Sequence, residues 1–167
     1  FEIAKLGANT RLLVGEGEWW RLVSANFLHA NTLHILVNGI ALLSLGTAIE
    51  TLLGTGPFLI VYIVSALSGS LASTLLGPGI PPSVGASTAL FGLLGSFAFL
   101  NLWRRRGLPA TFVQPARWWI VILGINGLLA LIFPMIDGAA HLVGFVGGLA
   151  ATFLVTRGVH AFPRPTA

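Results

Sequence analysis

Residues 84–106 read VGASTALFGLLGSFAFLNLWRRR, an apolar run that opens on small residues around Ser87 and closes on Arg104, Arg105 and Arg106. About 20 apolar residues cross a bilayer as a helix, and a sharp cluster of arginines at one end fits a span that stops at the headgroups. Four further stretches have the same character. Leu33 to Leu53 ends at Gly54-Thr55-Gly56-Pro57, a breaker sequence, and Phe58 to Leu76 ends at Gly77-Pro78-Gly79-Ile80-Pro81-Pro82. Trp118 to Met135 and Ala139 to Val155 follow, the last before Arg157. The reading is an all-α membrane protein with five transmembrane helices, at about 33–53, 58–76, 84–103, 118–135 and 139–155.

The composition agrees. Of 167 residues 55% are hydrophobic and 8% charged, where a soluble domain carries about 25% charged residues. With a mean hydropathy of +0.89 the chain cannot stay in water as a monomer. Twenty-one glycines suit helices that approach closely in lipid. The absence of cysteine excludes disulfides, thiolate metal sites and a cysteine nucleophile. The net charge of +4 comes from basic residues scattered around apolar segments, which fits membrane topology and not nucleic-acid binding. No cleavable signal peptide is visible, and Phe1 is an unusual first residue, so a preceding segment is expected.

The chain divides into an outer interfacial segment (1–31), a transmembrane core (32–157) and a tail (158–167). The first mixes polar and apolar residues and carries Trp19, Trp20 and Arg21, a headgroup-zone composition. With five spans, Arg104, Arg105, Arg106, Arg117, Arg157 and Arg164 fall on one side, the expected cytoplasmic side. The C-terminus is therefore expected inside and the Trp19-Trp20-Arg21 segment outside, in a plasma or inner membrane.

Ionisable and polar groups within spans are costly and mark functional positions. His34 and Asn38 lie four apart, on one face of the first span near its outer end. Ser87 opens the third span and His141 the fifth, both at their outer ends. The spans follow from apolar runs alone, so the shared depth of these four side chains is an independent observation. A serine with a histidine base suits acyl transfer, and an Asn amide with a second His can supply donors to an oxyanion. Ser87 at a helix N-terminus adds its own N–H. The one carboxylate at this depth is Asp137, so a Ser–His dyad is expected in place of a triad. Each residue also has a plain structural reading: a membrane serine commonly bonds back to a carbonyl, and a histidine can bridge helices. His29 could be interfacial, His160 solvated, and Glu50 a helix-end residue. Chemistry alone leaves both a hydrolase and a transporter open.

Four motifs narrow the choice. Gly85-Ala86-Ser87 followed by Phe91 and Gly92 resembles the GxS nucleophile motif of rhomboid proteases. His141 with Gly144 and Gly148 resembles that family's HxxGxxxG, and His29, His34 and Asn38 its HxxxxHxxxN. Trp20-Arg21 resembles the WR motif of its first outer loop. The resemblance implies a rhomboid-like bundle in which Ser87 is the nucleophile and His141 the base, with His34, Asn38 and the Ser87 N–H as the oxyanion hole. It further implies that Phe91 stacks on His141, that Gly144 and Gly148 admit the neighbouring helix, and that Gly85, His29, Trp20 and Arg21 support the site. Single-span membrane proteins are the implied substrates; no metal or cofactor is implied.

The chain departs from the family pattern twice. Thr88 stands where glycine is usual, which is expected to alter the helix contact beside Ser87 or tune the oxyanion hole. Five spans are found where the family core has six, so a first helix is expected upstream. The alternatives are a rhomboid-like pseudoprotease that binds membrane proteins without cleaving them, and a transporter using His34, Asn38 and His141 as a polar path. A pseudoprotease typically lacks the nucleophile or the His, and a transporter needs polar groups across the full bilayer depth.

Overall fold

The structure, a computed structural model, describes residues 2–77, 79, 82–133 and 136–158. Every element among them is helical, apart from an isolated antiparallel bridge between Asn9 and Ser83. In lipid this is the economical solution, because a helix satisfies its backbone polar groups internally. Three short helices come first: α1 (Glu2–Lys5), α2 (Arg11–Gly15) and α3 (Arg21–Ser24). A long rod follows, α4 (Thr32–Ala41) joined through a π turn at Leu42–Gly46 to α5 (Thr47–Leu53). Then come α6 (Thr55–Leu76), α7 (Ser87–Trp103), α8 (Ala116–Ile132) and α9 (Gly138–Val155).

Four of these rods are long and apolar enough to cross a membrane: Thr32–Leu53, Thr55–Leu76, Ala110–Ile132 and Gly138–Val155. The expected third span is shorter, since α7 has only 17 residues, about 25 Å at 1.5 Å per residue. Its expected first residues, Val84 to Ala86, lie ahead of the helix instead, and the Gly85 N–H donates to Ala25 O of the outer segment. The expected break at 54–57 is Gly54 alone, at φ +84°. Pro57 is accommodated in the first turn of α6, where no helical partner exists for its missing N–H. The expected fourth span begins two residues early at Ala116; Pro134 and Met135 at its far end lie outside the described residues, as do Pro81 and the tail with His160 and Arg164.

The centre is α7, buried over most of its length and enclosed by α6, α9 and the α4–α5 rod. Between apolar helices in lipid there is no hydrophobic gain to drive association, so contact must come from close packing and hydrogen bonds. Glycines provide it. A Cβ on Gly144 would strike the carbonyl oxygen of Thr88, one on Gly148 that of Gly92, and one on Gly95 that of Phe145. On α6, a Cβ at Gly69 would lie 2.6 Å from the Ala140 carbonyl oxygen. Buried hydroxyls fill the rest of the seam: Thr152 donates to Ser96 Oγ at 2.6 Å, and Ser65 bonds back to Val61 O. By contrast α8 buries no residue and rests lightly on α9, and apart from Arg117 near its start and Asn126 it presents an apolar surface suited to lipid.

The outer segment folds around Arg21, a buried guanidinium. Its Nη1 donates to Ala4 O at 2.6 Å and Ala8 O at 3.0 Å, its Nε to Glu18 Oε2 at 2.7 Å, and the group lies 4.6 Å from the Trp20 ring centre. Arg11 then fastens the segment to α6 by donating to the carbonyls of Thr74, Leu75 and Gly77, the oxygens a helix end leaves free.

These contacts separate two kinds of glycine. Gly148→Ala should destabilise the protein by about 1–3 kcal/mol, since the new methyl meets immovable backbone of α7. Gly127→Ala on α8, where nothing lies within 4 Å, should be neutral or stabilising by up to about 1 kcal/mol through helix propensity. Thermal unfolding of both variants in detergent measures the difference.

Candidate active site

Ser87 is the first residue of α7, and His141 lies in the first turn of α9, so both hydroxyl and imidazole stand at the same end of the bundle. Ser87 Oγ and His141 Nε2 are 2.9 Å apart, a hydrogen bond between residues 54 positions apart in sequence. The Phe91 ring, one turn further along α7, stacks on His141 with centroids 4.2 Å apart and planes 12° from parallel. The imidazole is thus held on one face by an aromatic ring and at its edge by the serine.

Asp137 lies one turn ahead of His141 but is occupied otherwise. Its Oδ1 accepts from the Ala140 N–H at 3.0 Å, capping α9. Among the described residues no carboxylate is hydrogen-bonded to His141, and its Nε2 contact is with Ser87 Oγ.

His34 and Asn38 come from α4, which starts where the Asn31 side chain accepts from the His34 N–H at 2.8 Å. Both side chains converge on Gly85, two residues before Ser87. A Cβ there would lie 2.8 Å from His34 Nε2 and 3.3 Å from Asn38 Nδ2, and Gly85 also holds φ at +117°, so glycine is required twice over. The Ala30 N–H points to His34 Nδ1 at 3.4 Å; with that nitrogen accepting, the neutral ring carries its proton on Nε2, towards Gly85. Asn38 Nδ2 is buried and has no partner among the described residues. Two donors without protein acceptors therefore face the loop just ahead of a serine at a helix N-terminus. Such a pocket can receive negative charge developing on an oxygen.

The remaining expected residues have definite places. His29 meets His34 edge-on at 5.1 Å between centroids, with both its ring nitrogens buried and unpartnered among the described residues. Gly144 and Gly148 are the contact points of α9 on α7, while Trp20 and Arg21 organise the outer segment away from the serine. Thr88 is buried with its methyl directed at Gly69 of α6 and Gly144 of α9, so the larger residue fills space that two glycines leave open.

Sequence reasoning missed Asn9 and Asn26. Asn9 is buried, donates to Ser70 O at 2.8 Å and accepts from Thr74 Oγ1 at 2.9 Å; Asn26 donates to Ser70 Oγ at 3.0 Å. Asparagines in an irregular polar segment read as turn formers, and nothing in the local pattern distinguishes these two.

The family model described as the Rhomboid domain matches residues 16–158. Among curated proteins, the chain is 37% identical over 149 residues to Rhomboid protease GluP of Bacillus subtilis (strain 168), covering 89% of this chain and 28% of that protein. It is 36% identical over 156 residues to RHOMBOID-like protein 5 of Arabidopsis thaliana, covering 92% and 49%. It is 32% identical over 161 residues to Rhomboid-like protease 3 of Toxoplasma gondii, covering 95% and 60%. The chain thus spans less than two thirds of the length of each of these three relatives. A match over most of the chain, to a family whose helical bundle this fold shares, identifies it as an integral membrane protein that belongs to the rhomboid family.

Proposed function

We propose that this chain is the catalytic core of an intramembrane serine endopeptidase that cleaves single-span membrane proteins in or near their transmembrane segments. The observation that carries the reading is the 2.9 Å contact between Ser87 Oγ and His141 Nε2 at the outer end of an apolar bundle. His141 Nε2 takes the hydroxyl proton as Ser87 Oγ attacks the substrate carbonyl carbon. The carbonyl oxygen becomes an oxyanion, received by Asn38 Nδ2, His34 Nε2 and the Ser87 N–H. The tetrahedral intermediate collapses as His141 gives its proton to the leaving amine, and the other half of the substrate stays esterified to Ser87. His141 then deprotonates a water that attacks the ester, and the proton returns to Ser87 Oγ. Phe91 keeps the imidazole in the plane that serves both transfers. A peptide bond inside a helix is shielded from such attack, so segments with helix-destabilising residues are the preferred substrates. In this reading the outer segment, 1–31, lies on the side where cleavage occurs, and the arginines at 104–106 and 157 support a cytoplasmic C-terminus.

The test is cleavage of a single-span substrate carrying a glycine- or proline-containing segment, by the protein reconstituted in lipid. Ser87→Ala and His141→Ala should each fall to background while melting like wild type. Asn38→Ala should lower kcat by about 100- to 1,000-fold, the usual effect of losing one oxyanion donor. Cleavage by Ser87→Ala at the wild-type rate would remove Ser87 from the role. A folded wild type that binds the substrate but leaves it intact would favour the non-cleaving rhomboid-like alternative.

A further inference from the structure

We propose that Asn9, outside the catalytic set, is a positioning residue that holds the loop carrying Ser87 in register with α6. This rests on the reading of Ser87 as nucleophile. Ser87 takes its direction from residues 83–86, which follow the glycine- and proline-rich sequence 77–82. Among the described residues of 79–86, the long-range backbone hydrogen bonds all go to the outer segment: two join Ser83 to Asn9 at 3.0 Å each, and the Gly85 N–H donates to Ala25 O at 2.9 Å. Asn9 is 4% exposed and uses both ends of the residue. Its backbone pairs with Ser83, four residues before the nucleophile, while its amide reaches Ser70 O at 2.8 Å and Thr74 Oγ1 at 2.9 Å on α6.

The same stretch of α6 also locates His141. Gly69, next to Ser70, lies so close to α9 that an added Cβ would come within 2.6 Å of the Ala140 carbonyl oxygen, the residue before His141. Residues 69–74 of α6 are therefore a common reference for both partners: α9 rests on it directly, and the Ser87 loop is tied to it through Asn9. Removing the Asn9 side chain leaves the Ser83 bridge but takes away its direct tie to that reference, so that only the indirect ties through Arg11 and Asn26 remain. Ser87 Oγ then wanders relative to His141 Nε2, and displacement on the order of 1 Å is enough to depress a rate strongly. Asn9 is buried and its side chain bonds only to Ser70 and Thr74 of α6, not to Ser87, His141, His34 or Asn38, so binding should be spared.

Cleavage kinetics and melting temperature in the reconstituted protein test this. Asn9→Ala should lower kcat by about tenfold or more with KM within about twofold of wild type. Thr74→Val, which removes only the donor to Asn9 Oδ1, should lower kcat by less, and the double variant should be no worse than Asn9→Ala alone. Asn101→Ala is the control, since Asn101 is an equally buried asparagine that binds Phe112 O and the Gln114 N–H at the other end of α7. It should lose melting temperature without losing kcat. The proposal is overturned if Asn9→Ala keeps wild-type kcat, or if kcat falls in Asn9→Ala and Asn101→Ala in proportion to their melting temperatures. Should Asn9→Ala not fold, Thr74→Val decides alone: reduced kcat at unchanged KM upholds the proposal and unchanged kcat overturns it. Wild-type activity that survives in Ser87→Ala would instead sink the nucleophile assignment, which separates the two failures.

Discussion

The approach of α9 to α7 is the constraint on which the rest depends. Ser87 and His141 belong to different helices, and their 2.9 Å contact exists only because the two backbones nearly touch. Gly144 lies against Thr88 O, Gly148 against Gly92 O and Gly95 against Phe145 O, three points along one seam where even a methyl group would intrude. A soluble protein could draw two helices together by burying larger side chains between them. In lipid that gain vanishes, and short-range contact between backbones has to supply the adhesion. Substituting glycines along the seam would both loosen the bundle and lengthen the Ser87–His141 hydrogen bond. The packing of the bundle and the geometry of the proposed site therefore depend on the same residues.

The bundle is polarised along its length. Ser87, His141, His34 and Asn38 gather at one end, together with an outer segment rich in buried hydrogen bonds to Arg21, Asn9 and Asn26. The opposite end of α7 packs Phe97 against Trp118 and Trp119 and buries Leu100 fully, with Asn101 tying down the following loop. The buried polar groups of the other half are hydrogen-bonded to backbone or to one another, as Asn101, Thr152 and Thr156 are. The residues just before Ser87 lie outside α7, and the backbone groups of Ser83 and Gly85 find partners in Asn9 and Ala25.

Hydropathy made the rods legible because lipid leaves few alternatives to a helix, and the ends near 53, 76, 103 and 155 agree with the structure to within a residue. The starts were less legible. Pro57 looked like a terminator yet sits inside the first turn of α6, and Val84 looked helical yet lies ahead of α7, next to the Ser83 bridge. Both errors have one source: local composition cannot tell whether a free N–H will be lost to a helix start or claimed by a distant strand-like partner. The gathering of His34, Asn38, Ser87 and His141 at one end followed from their positions in the spans. What a single sequence could not supply was lateral neighbourhood. Thr88 stood out only as a threonine where the family usually has glycine; its partners Gly69 and Gly144 are 19 and 56 positions away, and only the packed structure puts its methyl between them. Asn9 was invisible for the same reason, its partners lying on α6 and in the loop before α7.

The central claim is that the fold activates Ser87 through His141, and reaction with a serine-directed fluorophosphonate measures that activation without any assumption about substrate. The protein in lipid or mild detergent should be labelled at one residue, Ser87, at a rate that collapses in His141→Ala although the serine is still present. Labelling of Ser87 that proceeds equally fast without His141, or a folded wild-type protein that takes no label, would contradict the account.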